Sequence, residues 1–157
     1  MAHRFALALL LCACGGAPAP TPSNPSAPAA PSTPADECLA EASAPRTPKA
    51  GAPDMLTLSH ILVRHKDLKR SEGATRSRGE ACLRAREARE KLLAGAEWDA
   101  VAKEYSDAGD ATGGKLGSVS KSELDETFAN AAFALDAGEL SHVVETPRGF
   151  HVIARSQ

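Results

Sequence analysis

Leu58 to Arg70 reads LSHILVRHKDLKR, an apolar strand that carries a histidine and runs straight into a knot of positive charge. Taken from Met55 to Arg64, Leu56, Leu58, His60 and Leu62 fall on one face, and Thr57, Ser59, Ile61 and Val63 on the other. Successive side chains of a strand alternate faces. Neither face here is cleanly polar, so the pattern predicts a central strand buried on both sides. Lys66 to Arg78 mixes charge with Ser71 and Gly73 and keeps no apolar period, which makes it a loop.

Downstream, Ala81, Ala85, Ala88 and Leu92 recur at helical spacing, predicting an amphipathic helix from about Gly79 to Ala94, stopped by Gly95. Cys82 falls at the edge of that stripe. Glu97 to Tyr105 is a second, shorter helix with Trp98, Val101, Ala102 and Tyr105 on one side. A glycine-rich loop, Ser106 to Gly117, leads to a short strand around Ser118 and Val119. A third helix spans Ser122 to Leu135 and turns Leu124, Phe128, Ala131, Ala132 and Leu135 inward, with Ser120 or Ser122 as its cap. His142 to Glu145 and Gly149 to Ala154 are strands joined by a hairpin-like connection at Thr146, Pro147, Arg148 and Gly149. The order predicts an α+β domain over residues 54–157, with helices on one side of a small antiparallel or mixed sheet.

Upstream, the chain reads as delivery. Residues 1–13 have a positive start at His3 and Arg4, an apolar core from Phe5 to Leu11 and small residues after it, the layout of a secretory signal peptide. Leu11-Cys12-Ala13-Cys14 before Gly15-Gly16 resembles a bacterial lipobox, with Cys14 lipidated and the chain anchored to a membrane of the cell envelope; cleavage before Cys12 is the alternative. Residues 14–53 are dominated by Ala, Pro, Ser and Thr, with one less biased island at residues 35–42. That composition predicts a semi-stiff, solvated linker without a core.

The remaining cysteines, Cys38 and Cys82, either pair in an oxidising compartment or stay as two free thiols. With 18 basic and 20 acidic side chains the formal charge is -2, which argues against nucleic-acid binding. His60, His65, His142 and His151 lack zinc-site spacing, so no metal is expected.

Six blocks together resemble the parvulin-type peptidyl-prolyl cis/trans isomerases: SHILV (59–63), AGAEWDAVAKEYSD (94–107), GGKLG (113–117), ETFANAAFAL (126–135), GELS (138–141) and GFHVI (149–153). The resemblance implies a four-stranded, mainly antiparallel sheet wrapped by three to four helices. It also implies rotation about X-Pro bonds of exported polypeptides, without a cofactor, by a domain expected to be a monomer. It places Leu116, Leu124 and Phe128 in an apolar proline cup. His60 and His151 become the paired core histidines, with Thr146 in their hydrogen-bond network, and their role is either catalytic or architectural. Arg64, Lys69 and Arg70 match an anion-reading cluster for the residue before proline, with Lys66, Arg76 and Arg78 adding charge. Ala108 departs from the Cys or Asp usual there, and Asp107 or Asp110 is a candidate substitute. The rival expectation is a weakly catalytic or non-catalytic chaperone that holds proline-containing clients.

Overall fold

Met55–Val63 form β1, the strand through the middle of a four-stranded sheet. It pairs on one side with β2 (Lys115–Ser120) and on the other with β4 (Gly149–Arg155), whose outer neighbour is β3 (Val144–Thr146). All three pairings are antiparallel, in the order β2-β1-β4-β3. The computed structural model describes residues 32–157 apart from 72, 110 and 111. Residues 31–157 make one compact unit. The signal-peptide and lipobox expectations, with Cys12 and Cys14, lie outside the described residues. Among the described residues no helix is long and apolar enough to cross a membrane.

Four helices cover the sheet: α1 (Pro34–Ala42), α2 (Arg78–Leu93), α3 (Trp98–Tyr105) and α4 (Glu126–Ala132). They do not gather on one side as expected. Ile61 and Val63 of β1, with Phe150 and Val152 of β4, pack with α1, α2 and α3, while Leu56, Leu58 and Ile153 on the opposite face pack with Phe128, Ala131 and Ala132 of α4. The reason is the one that made β1 legible, since two apolar faces each need a cover.

The linker expectation is corrected over residues 34–42, where the less biased island is helical and belongs to the core. Thr33 accepts from the Asp36 amide at 3.2 Å and the Asp36 carboxylate accepts from the Thr33 amide at 3.0 Å, with Pro34 in the first turn. That reciprocal cap, with a proline whose missing donor costs nothing there, starts the helix. Cys38 is joined to Cys82 by a disulfide, with Cα atoms 6.0 Å apart. Cys82 therefore sits in the middle of the α1–α2 contact, at the edge of the Ala81, Ala85 and Ala88 stripe as expected, and is fully buried. The expected third helix divides into a 3-10 turn, Lys121–Glu123, and α4. Ser120 caps the turn, whereas Asp125 caps α4 by accepting from the Thr127 and Phe128 amides.

Candidate active site

On the α4 side of the sheet, β1 and β4 set two imidazoles side by side. His60 pairs across the ladder with Ile153 and Leu62 with His151, so the two histidines are diagonal neighbours on one face. Their Nδ1 atoms lie 3.1 Å apart and their rings stack at 15° between planes. Across a bond between two Nδ1 atoms one nitrogen must donate and the other accept, so the pair shares a single proton at that contact. Thr146 Oγ1 stands 2.9 Å from His151 Nε2 and also accepts from the Arg148 amide, which fixes the far side of the ring. His151 is 3% exposed, and burial first, then the His60 ring and the Arg148 guanidinium, hold its imidazole well below the usual value near 6.5. It is therefore neutral at physiological pH. Phe128 lays its ring edge-on to both histidines, at 5.8 and 5.2 Å between centroids.

Above these rings opens a cavity of about 800 Å³. Leu116, Val119, Leu124 and Phe128 supply its apolar wall, His60, His151 and Thr146 its floor, and Arg64, Lys69, Arg70 and Arg148 its basic rim. The expected cup, histidine network and cluster thus border one space. Two glycine contacts hold the wall segment in place: the His60 amide donates to Gly114 O at 2.7 Å and Trp98 Nε1 to Gly113 O at 3.0 Å. Gly114, at φ +78°, leaves no room for a side chain, since a Cβ there would stand 1.9 Å from His60 O.

Three expected contributors are elsewhere. Asp107 does not line the cavity. Its carboxylate accepts from Arg76 Nη1 at 2.7 Å and from the Arg64 amide at 2.9 Å, so it clamps the root of the basic loop instead of facing substrate. Arg76 is held by that clamp, and Arg78 by Glu145, whose Oε1 accepts from Arg78 Nε at 2.6 Å. The guanidinium beside Glu145 holds that carboxyl below its usual range. Asp110 lies outside the described residues. Ala108 lines the cavity without a polar group. The sequence reading missed Arg148, Val119, Glu123 and Asp125 as lining residues, although each sits within three positions of a site residue it had singled out. It also missed His65, which packs against Phe150 at 5.8 Å and buries the start of the basic loop. Among the described residues no group of three or more His, Cys, Asp or Glu side chains is placed to hold a metal.

The family model of the rotamase, PPIC-type PPIASE domain matches residues 60–157. The chain belongs to this family. It is 39% identical over 104 residues to the peptidyl-prolyl cis-trans isomerase pin1 of Schizosaccharomyces pombe, a match covering 62% of this chain and 59% of that one. It is 43% identical over 75 residues to the foldase protein PrsA of Bacillus subtilis, covering 46% of this chain and 26% of the foldase. The chain thus spans less than two thirds of either relative. Among solved structures, the isomerase ESS1 of Candida albicans superimposes with a TM-score of 0.59 at 29% identity, over 66% of this chain and 63% of that one. The rotamase fold is the α+β parvulin architecture, and β1–β4 with α2–α4 make it here; α1 precedes the matched residues.

Proposed function

We propose that this rotamase-family chain is a peptidyl-prolyl cis/trans isomerase of exported proteins, favouring an acidic or phosphorylated residue before proline. The observation that carries the reading is the cavity itself, in which an apolar cup, a floor of hydrogen-bonded imidazoles and a basic rim are contiguous. Rotation about X-Pro breaks amide resonance against a barrier of roughly 18–20 kcal/mol, and uncatalysed exchange takes tens to hundreds of seconds. No bond to the substrate has to form. An enzyme needs only to bind the twisted amide better than the planar one, at about 1.4 kcal/mol for each factor of ten.

The residues suit that task. Leu116, Leu124 and Phe128 grip the ring, Lys69, Arg70 and Arg64 hold the preceding anionic side chain, and the carbonyl between the two anchors turns over His60 and His151. The planar amide is the more dipolar form because of its resonance, so an apolar cup that excludes water disfavours the ground state relative to the twisted one. A neutral His151 keeps the floor from adding a buried charge. Among the described residues Lys69 and Arg70 make no ion pair, which leaves their charge for a ligand. Export and lipid anchoring at Cys14 are supported by the leader-like start and by the Cys38–Cys82 disulfide, a bond that persists in oxidising compartments.

Turnover of Glu-Pro, phosphoserine-Pro and Leu-Pro peptides tests the reading. Glu-Pro and phosphoserine-Pro are expected to be turned over faster than Leu-Pro, and a preference for Leu-Pro ends the anion assignment. Ala108 favours a second reading, a client-holding domain with little turnover. Under that reading the protein suppresses aggregation of unfolded clients without speeding proline-limited refolding.

A further inference from the structure

Leu116 lines the cup from within β2, yet the ladder does not hold it. The β1–β2 pairing joins Leu58 to Gly117 and Ser59 to Lys115, so Leu116 is an extra residue between them. A bulge of this kind leaves one residue unpaired and re-aims its side chain. Here the residue is 37% exposed and borders the cavity. Its position is therefore set by its neighbours. On one side Gly117 is fixed by its pairing with Leu58. On the other, Gly113 and Gly114 are caught between two elements: Gly114 O accepts from the His60 amide at 2.7 Å, and Gly113 O accepts from Trp98 Nε1 at 3.0 Å. Lys115 Nζ lies 2.7 Å from Asp99 Oδ1, but both side chains are more than half exposed and such a pair adds little.

Trp98 itself does not line the cavity. It opens α3, and its ring packs on the core that holds Ile61 and Val63, on the sheet face opposite Leu56 and Leu58. The core fixes the indole, and the indole N–H fixes a carbonyl three residues before Leu116. We propose that Trp98 is a positioning residue for substrate binding: through Gly113 O it sets where Leu116 stands, and so how closely the cup fits the proline ring. The inference rests on the isomerase reading for the ring's place against Leu116. A loosened wall grips the planar and the twisted amide equally less well, so the loss falls on KM and not on kcat. The basic rim is rooted separately by the Asp107 clamp, so the loss is the same whether the residue before proline is acidic or apolar. A single hydrogen bond is at stake, which makes the loss roughly three- to tenfold.

The test uses the full chain, unaltered or carrying Trp98→Phe, Leu116→Ala or both, with Glu-Pro and Leu-Pro peptides. Exchange NMR reads kcat and KM, fluorescence anisotropy reads Kd, and calorimetry reads Tm. Trp98→Phe keeps an aromatic ring on the core and removes the donor. It is expected to raise KM and Kd roughly three- to tenfold on both peptides, with kcat within about twofold. In the Leu116→Ala background it should add less than about twofold, because the residue it positions is gone. A lower Tm with unchanged KM and Kd overturns the proposal and makes Trp98 structural. An undiminished effect in the Leu116→Ala background overturns it as well, since the indole then does not act through Leu116. Absence of turnover on every peptide overturns the isomerase reading, and Kd then decides this proposal by the same two comparisons. Trp98 is the only tryptophan in the chain, so its indole N–H gives one resonance, expected to shift when peptide saturates the unaltered protein. A resonance that stays in place overturns the proposal even where the variant fails to fold.

Discussion

His151 shows how one buried side chain couples the site to stability. Its imidazole titrates well below 6.5 because it is buried and because His60 and Arg148 oppose a second charge. The unfolded chain takes up a proton near 6.5 and the native one does not, so stability is at its plateau above that pH and falls as pH drops below it. The slope approaches about 1.36 kcal/mol per pH unit for one such proton. Urea midpoints at pH 7.5, 6 and 5 should fall in that order and fall less in His151→Gln; an equal fall in both proteins would dissociate the effect from this ring. The carboxyls held low by hydrogen bonds, such as Asp36 and Glu145, lose their contribution only near their ordinary values of 3.8 and 4.5, below this window. At this scale the sequence was informative about partners on one strand face and silent about reach. His60 was legible on one face of β1 from strand alternation, and its pairing with His151 from the family resemblance. Asp107 was misjudged because nothing in a linear pattern tells that Arg76, thirty-one positions upstream, folds back onto it.

The elements that could be read from periodicity are those whose burial is dictated by their own residues. Two apolar faces marked β1 as central, and four recurrent small or apolar residues marked α2. β2 was read too short because Gly117 interrupts its pattern, although the backbone pairs with β1 from Ser120 back to Gly117 and, past a register shift at Leu116, again at Lys115. α4 was read too long because Leu124 keeps the helical spacing from within the preceding turn, while Asp125 restarts the chain with its own cap. The basic loop owes its shape to tertiary bonds: the Asp107 clamp at one end, and the Lys66 amide donating to Arg76 O at 2.9 Å. Asp107→Ala is therefore predicted to cost about 1–3 kcal/mol, the range for a buried acceptor and a half-exposed ion pair together. It should lower turnover of Glu-Pro peptides more than that of Leu-Pro peptides, because it loosens the rim and leaves the cup alone. Kinetics on both peptides check this, and an equal loss on both would place Asp107 in general folding instead.

For the whole molecule, the family match begins at residue 60 and yet the compact unit begins near residue 31. α1 fills that difference. Its composition hid it, since alanines and prolines on both sides read as spacer, although Thr33, Pro34 and Asp36 already spell a capped helix start. Its burial could not be inferred without knowing that α2 turns Cys82 and Arg86 toward it, the one bonded to Cys38 and the other 3.8 Å from Glu41. No residue of α1 lines the cavity. Stability and catalysis should therefore separate on truncation. A chain starting at Asp54 loses the disulfide, the burial of Cys38 and Ala42, and the Glu41 contact to His142 Nδ1 at 2.5 Å, whereas a chain starting at Ser32 keeps all three. The shorter chain is predicted to melt several degrees lower, because a domain of this size shifts by roughly 4–8 °C per kcal/mol. Its kcat/KM at a temperature where both are folded should stay within about twofold, a difference of roughly 0.4 kcal/mol in barrier. Reduction of the longer chain should move its melting temperature toward that of the shorter one without matching it, since α1 keeps its apolar contacts when the bond is cut. Calorimetry on the two chains, with and without reductant, and peptide kinetics on both decide the matter: equal melting temperatures would make α1 an appendage, and a large loss of turnover would make it part of the site.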